Sequence, residues 1–172
     1  MTATKNALRG RSDTLHQVAA LPVRIRDGHI EVCLITTRET HRWTVPKGWP
    51  MKGRSASTAA KIEAKEEAGI TGKVGKRPVG SYLYWKRRIG HFDLVEVSVY
   101  PMLVTGGLSS WKEQTQRLVH WASPRAAAIV VDEPGLEALL MQIDELEGDA
   151  LLAGKTRAST RPGGDPSPAR AA

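Results

Sequence analysis

The stretch TAAKIEAKEEAGI, Thr58 to Ile70, restricts this chain more than any other. Its composition is helical. At 3.6 residues per turn, Glu63, Glu66 and Glu67 fall on one arc about 80–100° wide, with Lys61 and Lys65 on the far side. Gly69 suits the left-handed position just past the helix end. A helix built for stability alone places Lys four residues after Glu. Here Glu67 follows Glu63 at that distance, where a like-charge pair costs about 0.2–0.5 kcal/mol. The charge also lies toward the helix end whose dipole disfavours it. Two readings stand: a solvated acidic face, or a face whose penalties a cation offsets.

The elements around this helix are short and mixed. Gln17–Ile25 reads as a strand, Arg26-Asp27-Gly28 as a tight turn, and Glu31–Thr37 as the partner strand. Trp43–Pro46 is short and extended, followed by a Gly/Pro-rich loop, Lys47–Arg54. The helix is expected over Ser55–Ala68. Residues 79–87 and 92–104 read as two long strands with a turn around Gly90, and Val119–Ala122 as a further short one. Ser123-Pro124 marks a helix start. A second start at Asp132–Pro134 leads to Leu136, Leu139, Leu140 and Ile143 at helical spacing, which predicts a buried stripe. The class is therefore α/β with a mixed sheet.

A chain of 172 residues with 41% hydrophobic residues can bury a core without disulfides. Cys33 is the single cysteine and lies in an apolar run, which fits a buried thiol in a reducing, cytoplasmic setting. No apolar run is long enough for a membrane helix, and the N-terminus lacks the apolar middle of a signal peptide, so no membrane partner is expected. The net charge of +7 sits mostly in the ends. One domain is expected over residues 14–152, between a disordered basic tail at 1–13 and a disordered basic Pro/Gly/Ser-rich tail at 153–172. The tails read as solubilising, with weak nucleic-acid contact as the sharper alternative. The oligomeric state is left open by the sequence.

The acidic arc suits a hard divalent cation, Mg²⁺ or Mn²⁺, which takes carboxylate oxygens and bridges to phosphates. The histidines His16, His29, His41, His91 and His120 are scattered without ligand spacing, so no soft-metal site competes. Lys47, Gly48, Lys52 and Arg54 lie in the loop that leads into the acidic helix, and Arg38 and Arg42 lie just upstream. Cations and carboxylates around a glycine loop suit a phosphate chain shared between a metal and basic side chains. Lys86-Arg87-Arg88 could reach further phosphates, the rival reading being an exposed hairpin tip. Tyr82, Tyr84, Trp85 and Trp111 could stack a base or simply pack. Gly48–Ser55 is also a near miss to a P-loop, with Ile129–Val131 and Asp132 as a possible metal-holding strand end. That reading is disfavoured by Arg54 in place of Lys, and Pro50 removes an amide.

Gly48 to Ile70 resembles the Nudix box. Gly48, Glu63, Ala64, Glu66, Glu67, Gly69 and Ile70 match in register, while Arg54 replaces the first Glu and Ile62 replaces the Arg before Glu63. Outside the box, the Arg38/Arg42-Trp43 approach, the KGWP loop and the segment from Trp111 onward resemble the diphosphoinositol polyphosphate and diadenosine polyphosphate branch, over roughly residues 15–150. The resemblance implies an α/β/α sandwich around a mixed sheet and metal-dependent hydrolysis of a phosphoanhydride in a small phosphorylated substrate. It implies Glu63, Glu66 and Glu67 as metal ligands and Glu66, Glu67 or a later-loop carboxylate, Glu113, as catalytic. Arg38, Arg42, Lys47, Gly48, Lys52 and Arg54 would hold substrate. In the family pattern the box Arg orients the Glu cluster by charge pairing, and Ile62 cannot. A non-catalytic polyphosphate- or RNA-binding module is the alternative.

Overall fold

The computed structural model describes residues 14–144. Both expected tails, and the last residues of the expected domain, lie outside the described residues. The order is β1 (Leu15–Arg26), β2 (His29–Thr36), β3 (Trp43–Thr44), β4 (Lys47–Gly48), α1 (Ala56–Ala68), β5 (Ile70–Val74), β6 (Gly80–Arg87), β7 (Phe92–Gly107), β8 (Val119–Ala122), α2 (Pro124–Val130) and α3 (Pro134–Ile143).

The strands form one mixed sheet with the path β3-β2-β1-β7-β5; β4 pairs with β1, β6 with β7 and β8 with β2. β1 runs parallel to β7, with Ala19 opposite Val99, and the other pairs are antiparallel. Asp27 and Gly28 both take positive φ, 51° and 79°, which gives the β1–β2 hairpin the twist its strands need. Side chains alternate across the sheet. Ala19, Leu21, Val32, Leu34, Val95, Val97 and Val99 face α2 and α3, where Leu136, Leu139, Leu140 and Ile143 are buried as their spacing predicts. Val18, Ala20, Cys33, Ile35, Tyr100 and Met102 face α1, meeting Ala59, Ala60, Ala64 and Ala68. The small alanines let α1 lie close on the sheet. The result is a sandwich of helix, sheet and helix, the expected class.

Three departures are physical. β5 was not expected, because ITGKV interleaves Gly and Lys. It forms because β7 runs on to Gly107 and offers an edge to Ile70–Val74. The residues Ile129 and Val130, read above as a possible strand end, belong to α2 and are exposed, which removes the P-loop reading. Ile62 is half-buried and packs in neither apolar cluster.

Candidate active site

Two short devices place α1. Ser55 caps its N-terminus, accepting from the Thr58 N–H at 3.2 Å. Gly69 ends it at φ 68°, with the Trp111 ring packed so closely that a β-carbon would lie 2.5 Å from its nearest atoms. Trp111 is therefore a packing residue and not a base-stacking one. Its loop is pinned to the helix end, where the Glu113 N–H donates to the Glu66 carbonyl at 3.1 Å. That bond satisfies one of the carbonyls a helix end leaves open.

The acidic face of α1 forms one wall of a cleft of about 790 Å³. Glu63, Glu66, Glu67 and Glu113 line the cleft on this side with Lys112 and Arg117, and Arg38, Arg42, Lys47, Lys86, Arg87 and Arg88 line it together with Glu39, Glu133, Tyr84 and Trp85. Gly48 also lines the cleft and lies against Glu63, whose carboxylate occupies the space a side chain at 48 would need. Lys52 and Arg54 do not line it. Both are exposed where the loop turns outward at Gly53, and their charges stay in water. The assignment of these two to substrate is thus not supported by the geometry.

The three helix glutamates share the wall, but Glu66 and Glu67 have separate partners and Glu63 lies against Gly48. Glu66 Oε2 accepts from Lys112 Nζ at 2.6 Å. Glu67 Oε2 accepts from the Lys47 N–H at 2.9 Å, and its Oε1 accepts from Arg117 Nη2. Arg117 also donates through Nε to Glu113 Oε2 at 2.6 Å and through Nη1 to the Thr36 carbonyl at 2.8 Å. Among the described residues no three carboxylate, His or Cys side chains converge on one metal-binding point as they stand. Of the expected Glu63, Glu66 and Glu67 group, all three line the cleft, with Glu66 paired to Lys112 and Glu67 to Arg117.

The electrostatics still ask for positive charge. Glu63 is pushed up to about 7, first by burial and then by Glu67, Glu66 and Glu113. Burial also raises Glu67, against the opposing pull of Arg117. On the basic side Lys47 is pushed down to about 8 by burial, with Glu67 and Glu133 opposing. Its Nζ lies 3.3 Å from Thr44 Oγ1 and 5.4 Å from the centre of the Tyr84 ring. Tyr84 is itself fixed by donating to Gln17 Oε1 at 2.8 Å. Arg42 Nη1 donates to Glu133 Oε1 at 3.1 Å, and Arg38 Nη1 lies 3.9 Å from Glu113 Oε1.

Sequence reading missed one feature and left a second between two readings. The first is Arg117, whose only local signal was its position four residues after Glu113. The second is the role of the β6–β7 hairpin. Lys86, Arg87 and Arg88 are not merely a solvated tip, since all three line the cleft, and Lys86 and Arg88 each lie 5.9 Å from the Trp49 ring. Of the aromatics, Tyr82 is buried beneath Gly135 and cannot stack a ligand, whereas Tyr84 and Trp85 face the cleft.

No protein-family model matches the chain. It is similar to Nudix hydrolase 18, mitochondrial, of Arabidopsis thaliana, at 34% identity over 111 residues, covering 60% of this chain and 61% of that protein. Nudix hydrolase 17, mitochondrial, of the same plant is 33% identical, with 60% and 59% covered. The chain thus spans about three fifths of the length of the curated relatives it matches. Among solved structures, a binary complex of Ap4A hydrolase from C. elegans shares the fold at a TM-score of 0.59 and 23% identity, covering 83% of this chain and 100% of that one. The NUDIX domain of Shewanella oneidensis NrtR, complexed with ADP ribose, does so at 0.58 and 14%, covering 78% and 89%. Residues 14–144 thus share the fold of these Nudix structures, and the chain is similar in sequence to the curated Nudix hydrolases over about 111 residues.

Proposed function

We propose that the domain hydrolyses a phosphoanhydride in a small polyphosphorylated molecule, such as a diadenosine polyphosphate or an inositol pyrophosphate, with a divalent cation bound. One observation carries the reading: a single cleft brings the helix carboxylates Glu63, Glu66 and Glu67 together with Glu113 and with the cationic Arg38, Arg42, Lys47, Lys86, Arg87 and Arg88. Anionic phosphates suit the basic side, and a cation suits the acidic side. The name Ap4A hydrolase on a neighbour of the same fold adds support for the substrate class.

The donor set fits Mg²⁺ or Mn²⁺, since every candidate ligand offers hard carboxylate oxygen. The raised Glu63 fits too, since burial and then the neighbouring carboxylates disfavour its charge, and a bound cation would offset both. Glu63, Glu66 and Glu67 would hold the ion, which, when bound, neutralises phosphate charge and makes water a better nucleophile. The remaining work falls to the chain itself. Lys47, Arg38 and Arg42 bind phosphate oxygens and orient the chain of phosphates. Lys86, Arg87 and Arg88 reach phosphates farther from the scissile bond. Each oxygen of Glu67 accepts one hydrogen bond and its remaining lone pairs would go to the ion, so the proton released by attacking water goes to Glu66 Oε1 or Glu113 Oε1, neither of which accepts a hydrogen bond among the described residues.

The test is phosphate release from diadenosine polyphosphates, inositol pyrophosphates and nucleoside triphosphates, with Mg²⁺, with Mn²⁺ and with a chelator. Turnover that requires the divalent ion supports the reading. Binding that weakens steeply with salt, without turnover on any substrate, overturns it in favour of a polyphosphate- or RNA-binding module.

A further inference from the structure

We infer that Arg117 is the positioning residue of the acidic wall, doing from a distant loop what Ile62 cannot do from the helix; the inference rests on the hydrolase reading above. The Arg117 side chain is 9% exposed, and Nε, Nη1 and Nη2 all donate. Two acceptors are carboxylates, Glu67 and Glu113. The third is the uncharged carbonyl of Thr36 at the end of β2. The next residue locks the same place again: the Leu118 N–H donates to Thr36 Oγ1 at 2.9 Å, and the Thr36 N–H donates to the Leu118 carbonyl at 3.1 Å. A guanidinium is a rigid planar fork, so three acceptors in separate directions fix its plane, and the plane fixes both carboxylates. Each carboxylate oxygen has two lone pairs, so these bonds leave Glu67 and Glu113 able to take a further partner.

A plain counter-ion would need only proximity. It would not need a carbonyl 81 residues away in sequence to set its orientation. The two roles also predict opposite signs. If Arg117 merely balances charge, its removal leaves the wall more negative and divalent binding tightens. If it positions, its removal lets Glu67 and Glu113 rotate apart and divalent binding weakens.

The experiment uses the full chain with Arg117→Met and Arg117→Lys. Mn²⁺ alone is titrated by calorimetry, thermal unfolding is recorded for each variant, and kcat and KM are measured on the best substrate of the panel above. Outer partners of metal-holding side chains are worth about 10–100-fold in affinity, and a loss of that size is expected for both variants. The Lys variant keeps the charge but cannot span three acceptors, so it separates geometry from charge. kcat falls while KM stays within about threefold, the pattern of a lost transition-state interaction. Mn²⁺ bound as tightly as or more tightly than by wild type in Arg117→Met, or wild-type affinity in Arg117→Lys, overturns the inference. If Arg117→Met does not fold, the Lys variant decides alone. A wild type that binds Mn²⁺ but hydrolyses nothing overturns the hydrolase reading only, and the Mn²⁺ comparison still decides on Arg117. A wild type that takes up no Mn²⁺ overturns both.

Discussion

The carboxylate of Glu63 rests against the α-carbon of Gly48, in the space where any β-carbon at position 48 would stand. Glycine at 48 thus leaves room for the end of a side chain fifteen positions away, on another element, and is not called for by its own backbone angles. Gly48→Ala is expected to push Glu63 off its place while leaving the sheet pairing of β4 intact. A misplacement of that kind costs about 10²-fold in turnover. Steady-state kinetics beside a circular dichroism melt would check it, and an alanine variant with unchanged kcat would remove Glu63 from the site.

Much of this was legible beforehand. The spacing of Glu63, Glu66 and Glu67 with Gly69 placed the acidic helix and its end, because local periodicity and one left-handed residue suffice for that. The buried stripe from Leu136 to Ile143 was legible for the same reason. The charges were harder. Lys52 and Arg54 are adjacent to the site in sequence but turn to solvent, whereas Arg117 and Lys86 arrive from loops and hairpins whose course depends on tertiary pairing. β5 was hidden because its residues gain their order from the length of β7 and not from any apolar alternation of their own.

Gly69→Ala is expected to destabilise the domain. The residue holds φ 68°, where a side chain costs about 1–2 kcal/mol. The Trp111 ring adds an overpacking penalty of about 1–3 kcal/mol. Urea unfolding should show a loss of about 2–5 kcal/mol from these two costs. A loss under about 1 kcal/mol would mean that the packing of Trp111 on the helix end is not as described.

Lys47 makes a pH prediction for ligand binding. Its ammonium is pushed down to about 8 by burial, so it is cationic below that pH and neutral above it in the free protein. Affinity for inorganic tripolyphosphate should fall as pH rises through about 8, and Lys47→Met should remove that dependence. The stability sign runs the other way. The folded value lies below the ordinary 10.5, so the unliganded fold gains stability as pH rises from about 8 toward 10.5. Calorimetric titrations between pH 7 and 9.5 at constant ionic strength, showing constant affinity, would disprove the assignment.

Glu66→Gln and Glu67→Gln keep shape but remove charge from the acidic wall. Each is expected to lower kcat by about 10²–10⁴-fold, the range for losing a group that acts on a proton or on developing charge. Glu67→Gln should also lower the melting temperature, because it leaves buried Arg117 with one fewer anionic partner. Normal turnover by both variants would end the proposed chemistry.

Cys33 supplies a check on the core. Its thiol is buried and raised to about 12, first by desolvation, with Arg24 opposing weakly. The reactive form is the thiolate, so alkylation by iodoacetamide at pH 8 should be negligible in the native state and become rapid in urea. Fast labelling of the folded protein would contradict the packing of β2 against α1.

The long strand β7 pairs with β6 through residues 92–99 and with β5 through residues 102–107, while β1 occupies its other edge. In the β6–β7 hairpin, residues 88–91, where the Arg88 N–H donates to the His91 carbonyl, lie beyond that pairing. This turn is a natural splice point: peptides of other lengths and charges grafted there would reshape the basic rim of the cleft, with the glutamate wall left as it is.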